Sequence, residues 1–169
     1  MKSLLLFALM WKDKENLEKV ENHLKKFYGQ FLIETAPFEL PYSKYYFEEM
    51  GYPLFKKFVA VNYLTTHLNL ANIKKHCMFI EDKYRNNRNR TVNIDPILVD
   101  EEKVLVATKK YRGNRIQIDK DIFVEIELWY HDKEFKSFLW TYLDYKENTE
   151  FFKKARKLLK KLKKEGKTS

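Results

Sequence analysis

Arg115, Glu125 and Glu127 are the side chains of this sequence whose types and spacing most readily do chemistry. Residues 115–118 and 122–130 alternate apolar and polar positions on either side of Asp119 and Asp121, the pattern of a hairpin. A register that sets Ile118 against Ile122 and Ile116 against Val124 keeps apolar faces together and puts Arg115 opposite Glu125. Glu127 then follows roughly 7 Å along the same face, between Phe123 and Trp129. This register needs a three-residue loop, 119–121, although such loops favour a glycine that is missing here; a two-residue loop would set Gln117 against Ile122 and mix the faces. An Arg braced by a carboxylate can receive an anion, two carboxylates can hold a hard cation such as Mg²⁺, and two carboxylates also suit acid–base work. The same residues read equally as a cross-strand ion pair on a wetted sheet face, worth about 0.2–1 kcal/mol.

Other polar segments surround the hairpin. The turn before it, residues 108–115, gathers Lys109, Lys110, Arg112 and Arg115, with Lys110 the natural second contact for a phosphate, or else forms an ordinary basic loop without the glycines of a backbone nest. Lys83, Arg85, Arg88 and Arg90 make a second basic patch beside Tyr84, suited to a phosphate backbone or to a solvated helix end. Asn93 and Asp95 follow a short strand, where Asp95 is a ligand, a base or a turn-former beside Pro96. Tyr42, Tyr45 and Tyr46 precede Glu48 and Glu49 in a tyrosine-rich loop, and Thr141 and Asp144 lie among Trp140, Tyr142 and Tyr145 in another. Loops this aromatic suit packed lids or pocket walls.

Composition excludes several chemistries. The four glycines, none within twenty residues of another, cannot form a P-loop or a dinucleotide-binding turn. Cys77 is the sole cysteine, which removes internal disulfides, CxxC redox pairs and Cys-rich zinc sites and fits a reducing cytoplasm. No HExxH pair and no GxSxG elbow occurs. The apolar run Leu4–Trp11 resembles the core of a signal peptide, but Lys12, Asp13, Lys14 and Glu15 follow without a small-residue cleavage site, and the run reads as a buried first strand. No other apolar stretch approaches the roughly 20 residues needed to cross a bilayer, so a soluble cytoplasmic protein is expected. Abundant Lys and Glu with only two Gln match heat-loving composition.

The elements that must position these residues follow from periodicity. After the first strand, residues 15–28 place Leu17, Val20, His23 or Leu24, and Phe27 on one helical face and stop at Gly29. Residues 31–33, extending toward Glu39 between Pro37 and Pro41, and residues 55–64 read as strands. Residues 70–84 form a second helix with Ile73, Cys77 and Ile80 inward and Asn69 as its cap, and short strands follow at 92–94 and 104–108. This βαββαβ order predicts a ferredoxin-like α+β domain, extended by the hairpin.

The net charge of +9 is concentrated at one end: residues 153–169 hold nine Lys or Arg against one acid, leaving 24 bases and 23 acids elsewhere. Phe151, Phe152, Ala155, Leu158, Leu159 and Leu162 there share a helical stripe. Residues 151–169 are therefore expected to form an amphipathic helix and tail on a domain of residues 1–150. The stripe docks while its lysines are solvated, or the helix grips RNA or anionic lipid.

Tyr45-Tyr46, Glu49-Met50-Gly51, Lys74, Glu81, residues 92–96, Ala107-Thr108, Lys110, Arg115-Ile116, Glu125, Trp140-Thr141-Tyr142 and Asp144-Tyr145 together resemble the prokaryotic family known as domain of unknown function 4416, over residues 1 to about 150. The resemblance implies a shared polar set overlapping the Arg115 and Glu125 face, and no reaction. Ile97, Asn114 and Leu143 stand where the family pattern has Gly, His and Pro, and Asn114 cannot shuttle a proton. The leading expectation is a pocket for an anionic, phosphate-bearing ligand, nucleotide-like and taken with or without Mg²⁺. Its residues are Lys110, Arg115, Glu125, Asn93, Asp95, Tyr45, Tyr46, Glu49, Thr141 and Asp144. The alternatives are an RNA-binding module, whose expected Lys/Arg-Gly-aromatic strand signature is only partly matched by residues 55–61, and a protein–protein scaffold built on the terminal helix.

Overall fold

The computed structural model describes residues 1–41 and 44–166. The uninterrupted apolar run near the start forms β1 (Ser3–Trp11), buried along its whole length as a strand covered on both faces must be. Its alternating side chains feed two separate cores. Leu5, Phe7, Leu9 and Trp11 face one side of the sheet, and Leu4, Leu6 and Ala8 face the other.

β4 (Phe55–Thr65) and β5 (Val92–Val99) flank β1, both antiparallel to it. Outside β4 lie β2 (Phe31–Glu34) and the two-residue β3 (Phe38–Glu39). Past β5 the sheet continues through β6 (Lys103–Thr108), β8 (Ile122–His131) and β7 (Ile116–Asp119), while β9 (Glu134–Ser137) pairs with the far end of β8. The protein is thus a mixed α and β fold around a nine-stranded antiparallel sheet, in the order β2-β4-β1-β5-β6-β8-β7. A four-stranded ferredoxin-like sheet does not describe it as a whole, because the chain after β5 adds strands to the same sheet instead of packing beside it.

α1 (Lys14–Tyr28) and α3 (Leu70–Lys83) cover the first core through Leu17, Val20, Leu24, Ile73, Cys77 and Ile80. α1 ends where expected, at Gly29 with φ 91, whose N–H donates to the Lys25 carbonyl at 3.0 Å. Asn69 does not cap α3: it has helical backbone angles, and its amide donates to the Thr65 hydroxyl at 3.2 Å, because a short 3₁₀ turn over His67–Asn69 already leads into the helix. The second core is closed by α5 (Thr149–Lys164), whose Phe151, Phe152, Ala155, Leu159 and Leu162 are buried on the sheet. Each of the larger side chains contributes about 1.5–3 kcal/mol. Lys154, Lys157, Lys160 and Lys161 stand in solvent, and Arg156 and Lys163 tie the helix to Glu101 at 2.7 and 2.9 Å. No helix among the described residues is long and apolar enough to cross a membrane.

Three local expectations are corrected. The tyrosine-rich segment is a helix, α2 (Lys44–Met50), anchored by Met50 against Met10, Leu40 and Leu54; Tyr42 lies outside the described residues. Asp95 and Pro96 do not make a turn but lie inside β5. The hairpin closes in two residues, not three: Asp119 opposes Ile122, Asp121 takes the left-handed φ of 56 that Asp tolerates, and a bulge between Gln117 and Asp119 absorbs the extra residue. Ile116 still faces Val124 as expected, but Ile118 does not face Ile122. A second irregularity, where β8 meets β6 between Val104 and Leu105, breaks the single apolar face expected for β8. Ile122 consequently joins the α1/α3 core and Leu128 the α5 core, and Ile126 is exposed.

Candidate functional site

β5 and β6 diverge, and a cavity opens in the fork. Their ladder spans only Ile97–Val99 against Val104–Val106, so residues 92–96 have no β6 partner although both strands continue. Backbone groups abandoned in this way must be met by something else. The N–H of Ile94 donates to Glu81 Oε2 at 2.7 Å and its carbonyl accepts from Lys74 Nζ at 3.3 Å, both side chains reaching over from α3. Pro96 has the same outward orientation two residues on, and its missing N–H leaves nothing to satisfy at the branch point.

The fork holds a cavity of about 680 Å³, within the range of small-molecule sites. Its floor is a chain of charged and polar groups. Glu49 binds the Arg90 guanidinium and backbone N–H, Arg90 Nη1 donates to Asn93 Oδ1 at 2.7 Å, Asn93 Nδ2 donates to Asp95 Oδ2 at 3.1 Å, and Lys74 donates to Asp95 Oδ1 at 3.1 Å. Lys56 on β4 pairs with Asp144 on α4 (Leu143–Lys146). Burial alone would raise the Asp95 pKa, but the Lys74 and Lys56 ammoniums overcome it and hold the carboxyl below its usual value. Burial likewise works against Lys74 and Lys56, and their carboxylate partners lift both above the ordinary lysine value. The floor is therefore fully ionised at Asp95, Lys74 and Lys56 at neutral pH.

Arg115 and Glu125 are side by side, with Arg115 Nε 3.5 Å from Glu125 Oε1 and both side chains almost wholly out of solvent. Arg115 forms part of the cavity wall. Its Nη1 donates to the Lys110 carbonyl at 2.7 Å and its Nη2 to the Tyr142 hydroxyl at 2.9 Å, while Nε is buried without a hydrogen-bond partner among the described residues. Behind it Glu125 accepts from Asn114, and Glu127 accepts from the Tyr142 N–H at 2.8 Å. The other oxygens of the two carboxylates are both buried without a donor among the described residues. Burial, reinforced by the neighbouring Glu125, pushes Glu127 up to about 9, so Glu127 is protonated at neutral pH.

The mouth is basic and aromatic. Lys110 Nζ sits 3.1 Å from the Tyr45 ring centroid, and Tyr46 and Tyr142 also line the opening. Among the described residues neither Lys109 nor Lys110 has a carboxylate partner. The structure thus gathers Lys110, Arg115, Asn93, Asp95, Tyr45, Tyr46 and Asp144 around one cavity. Glu125, Glu49 and Thr141 support it from outside. Glu125 braces Arg115, Glu49 braces Arg90, and the buried Thr141 hydroxyl donates to the Glu127 carbonyl at 2.7 Å, holding the segment that carries Tyr142.

Lys56, Arg90 and Tyr142 lie outside the expected pocket set, Arg90 being read only as part of a basic patch and Tyr142 as part of an aromatic loop and of the family resemblance; Lys74 and Glu81 lie outside it too and are named only through that resemblance. Both had a signal of their own: each is a charge adjoining the Leu70, Ile73, Cys77 and Ile80 stripe of α3, where an unsatisfied ion would be costly. Lys56 alternates with the buried Phe58 and Ala60 in the same manner. As for metals, no group of three or more His, Cys, Asp or Glu gathers among the described residues; Asp95 and Asp144 are each neutralised by a lysine.

The class these observations define is a mixed α and β fold on a large antiparallel sheet, with a charged cavity in a strand fork. The chain belongs to the family described as domain of unknown function (DUF4416), whose model matches residues 1–159. No curated protein and no solved structure matches it.

Proposed function

We propose that the cavity between β5 and β6 binds an anionic, phosphate-bearing small molecule of nucleotide size, with Lys110 and Arg115 as the anion contacts. The observation that carries this reading is the wall of the cavity at the β6–β7 connection. Among the described residues Lys109 and Lys110 stand there without carboxylate partners, beside the Arg115 guanidinium braced by Glu125. Guanidinium and ammonium groups in a partly dry recess favour phosphate oxygens, and the Tyr142 hydroxyl adds a polar contact. Tyr45 and Tyr46 supply flat apolar surface for the rest of the ligand. Mg²⁺ would enter with the ligand's own phosphates, because the cavity carboxylates are already paired, Asp95 and Asp144 with lysines and Glu81 and Asp82 with arginines.

RNA binding is the second reading, supported by the exposed lysines of α5. It is the weaker because α1 and α3 pack on one face of the sheet and α5 on the other, and among the described residues Trp129 is the only strand Trp, Tyr or Phe that is exposed, too few for a run of stacked bases. A scaffold role for the terminal helix is weaker still, since its apolar stripe is already buried. The β2-β4-β1-β5 segment with α1 and α3 on one side is the part of the fold we read as a ferredoxin-like core. A buried, unpaired Cys77 suits a cytoplasmic setting.

The test is a thermal-shift and calorimetric screen of phosphate, pyrophosphate and nucleotides against the wild type, Lys110→Ala, and a variant with Lys154, Lys157, Lys160 and Lys161 changed to Glu. Saturable binding weakened in Lys110→Ala and kept in the α5 variant supports the pocket. Binding to RNA alone, abolished in the α5 variant, contradicts it.

A further inference from the structure

Behind the anion contacts, the floor of the cavity presents a donor and an acceptor side by side. Asp95 keeps a quarter of its side chain exposed even though Lys74 and Asn93 each hold one of its oxygens. Lys56 sits close enough to influence Asp95 and keeps some exposure of its own. A carboxylate and two ammoniums at one place set a demand on any ligand that reaches them. A ligand ammonium entering there would meet Lys74 and Lys56 as well as Asp95, and the two like charges oppose it. A plain hydrocarbon would displace water from an ionised carboxylate whose spare lone pairs Lys74 and Asn93 do not fill, a costly arrangement. A neutral hydroxyl meets both requirements, because it donates to Asp95 and accepts from a lysine with the same oxygen.

Resting on the phosphate reading above, we infer that the ligand is a phosphate ester of a polyhydroxylated carrier, such as a sugar or the ribose of a nucleotide. Its phosphate lies at Lys110 and Arg115, and its hydroxyls lie at the Asp95, Lys74 and Lys56 floor. The two ends are both walls of the same cavity. Discrimination then comes from the floor: the phosphate end holds any phosphate ester, and the hydroxyl count sets the affinity.

The experiment compares inorganic phosphate, propyl phosphate, phosphoethanolamine and ribose 5-phosphate by calorimetry on the full chain, with Lys110→Ala and Asp95→Asn alongside. The expected result is at least tenfold tighter binding of ribose 5-phosphate than of propyl phosphate, with phosphoethanolamine no better than propyl phosphate. Asp95→Asn should remove that gain while inorganic phosphate still binds. Because the comparison among esters is made on the wild type, it holds even where Asp95→Asn does not fold. Equal affinity across the esters, or preference for the amine, with binding still weakened by Lys110→Ala, overturns this inference and leaves the phosphate reading standing. Binding of none of the four compounds overturns both.

Discussion

Glu81 Oε2 accepts the backbone N–H of Ile94 at 2.7 Å, so a helix side chain occupies the place in the ladder that β6 vacates. The cavity exists because of this substitution. A strand fork would normally be closed by pairing or filled with water; here Glu81 and Lys74 satisfy the open edge of β5 from one side and leave the other side open as a cavity.

Replacing Glu81 tests that dependence. Glu81→Ala leaves a buried N–H without an acceptor and should destabilise the protein by about 1–3 kcal/mol. Glu81→Gln keeps an acceptor oxygen and should lose less. Urea denaturation midpoints of the two variants against the wild type measure the difference.

The pairing of Arg115 with Glu125 predicts strong non-additivity. Arg115→Met strands a buried negative charge and should cost about 3–5 kcal/mol. Adding Glu125→Gln removes that charge, so the double variant should be more stable than Arg115→Met alone. A double-mutant cycle in chemical denaturation reads the coupling.

Glu127 fixes a pH signature. Its folded-state pKa of about 9 lies far above its usual value, so the native state holds a proton that the unfolded chain releases. The resulting stabilisation is complete below the unfolded pKa near 4.5 and is lost progressively as pH rises toward 9, at no more than about 1.4 kcal/mol per pH unit. Glu127→Gln keeps an acceptor for the Tyr142 N–H without a titrating proton. Its stability relative to wild type should therefore climb between pH 5 and pH 9; parallel pH profiles would contradict a protonated Glu127.

The terminal helix is structural as well as basic. Phe152→Ala, in a fully buried position facing Phe58 and Tyr145, should cost about 3–5 kcal/mol. Deleting residues 153–169 removes Leu159 and Leu162 from the same core and should unfold the domain, which is why charge reversal on α5 is the proper probe of its lysines. Circular dichroism melts separate the two variants.

Much of this arrangement was legible from local pattern. The apolar run of β1, the Leu17, Val20 and Leu24 stripe of α1 ending at Gly29, and the apposition of Arg115 and Glu125 all follow from periodicity, but Phe27, expected on that stripe, is exposed, and Tyr28 is buried in its place as the helix meets its last turn. The Ile116–Val124 pairing survived a wrong loop length because a bulge between Gln117 and Asp119 took up the difference. What stayed hidden depends on contacts far apart in sequence. Residues 44–50 carry the look of a loop until Met50 finds Met10 and Leu54. Asp95-Pro96 reads as a turn unless β1 is known to lie beside it, and no local feature says that β6 will leave β5 at Ile97. The cavity floor, with Lys56 from β4, Lys74 from α3 and Asp95 from β5, is assembled by that divergence and by nothing in any one segment.

The most direct measurement is a pyrophosphate titration followed by backbone amide resonances. Saturable shifts concentrated at residues 109–115, 93–95 and 141–144 are predicted. Shifts confined to α5, or none at millimolar pyrophosphate, would contradict the pocket.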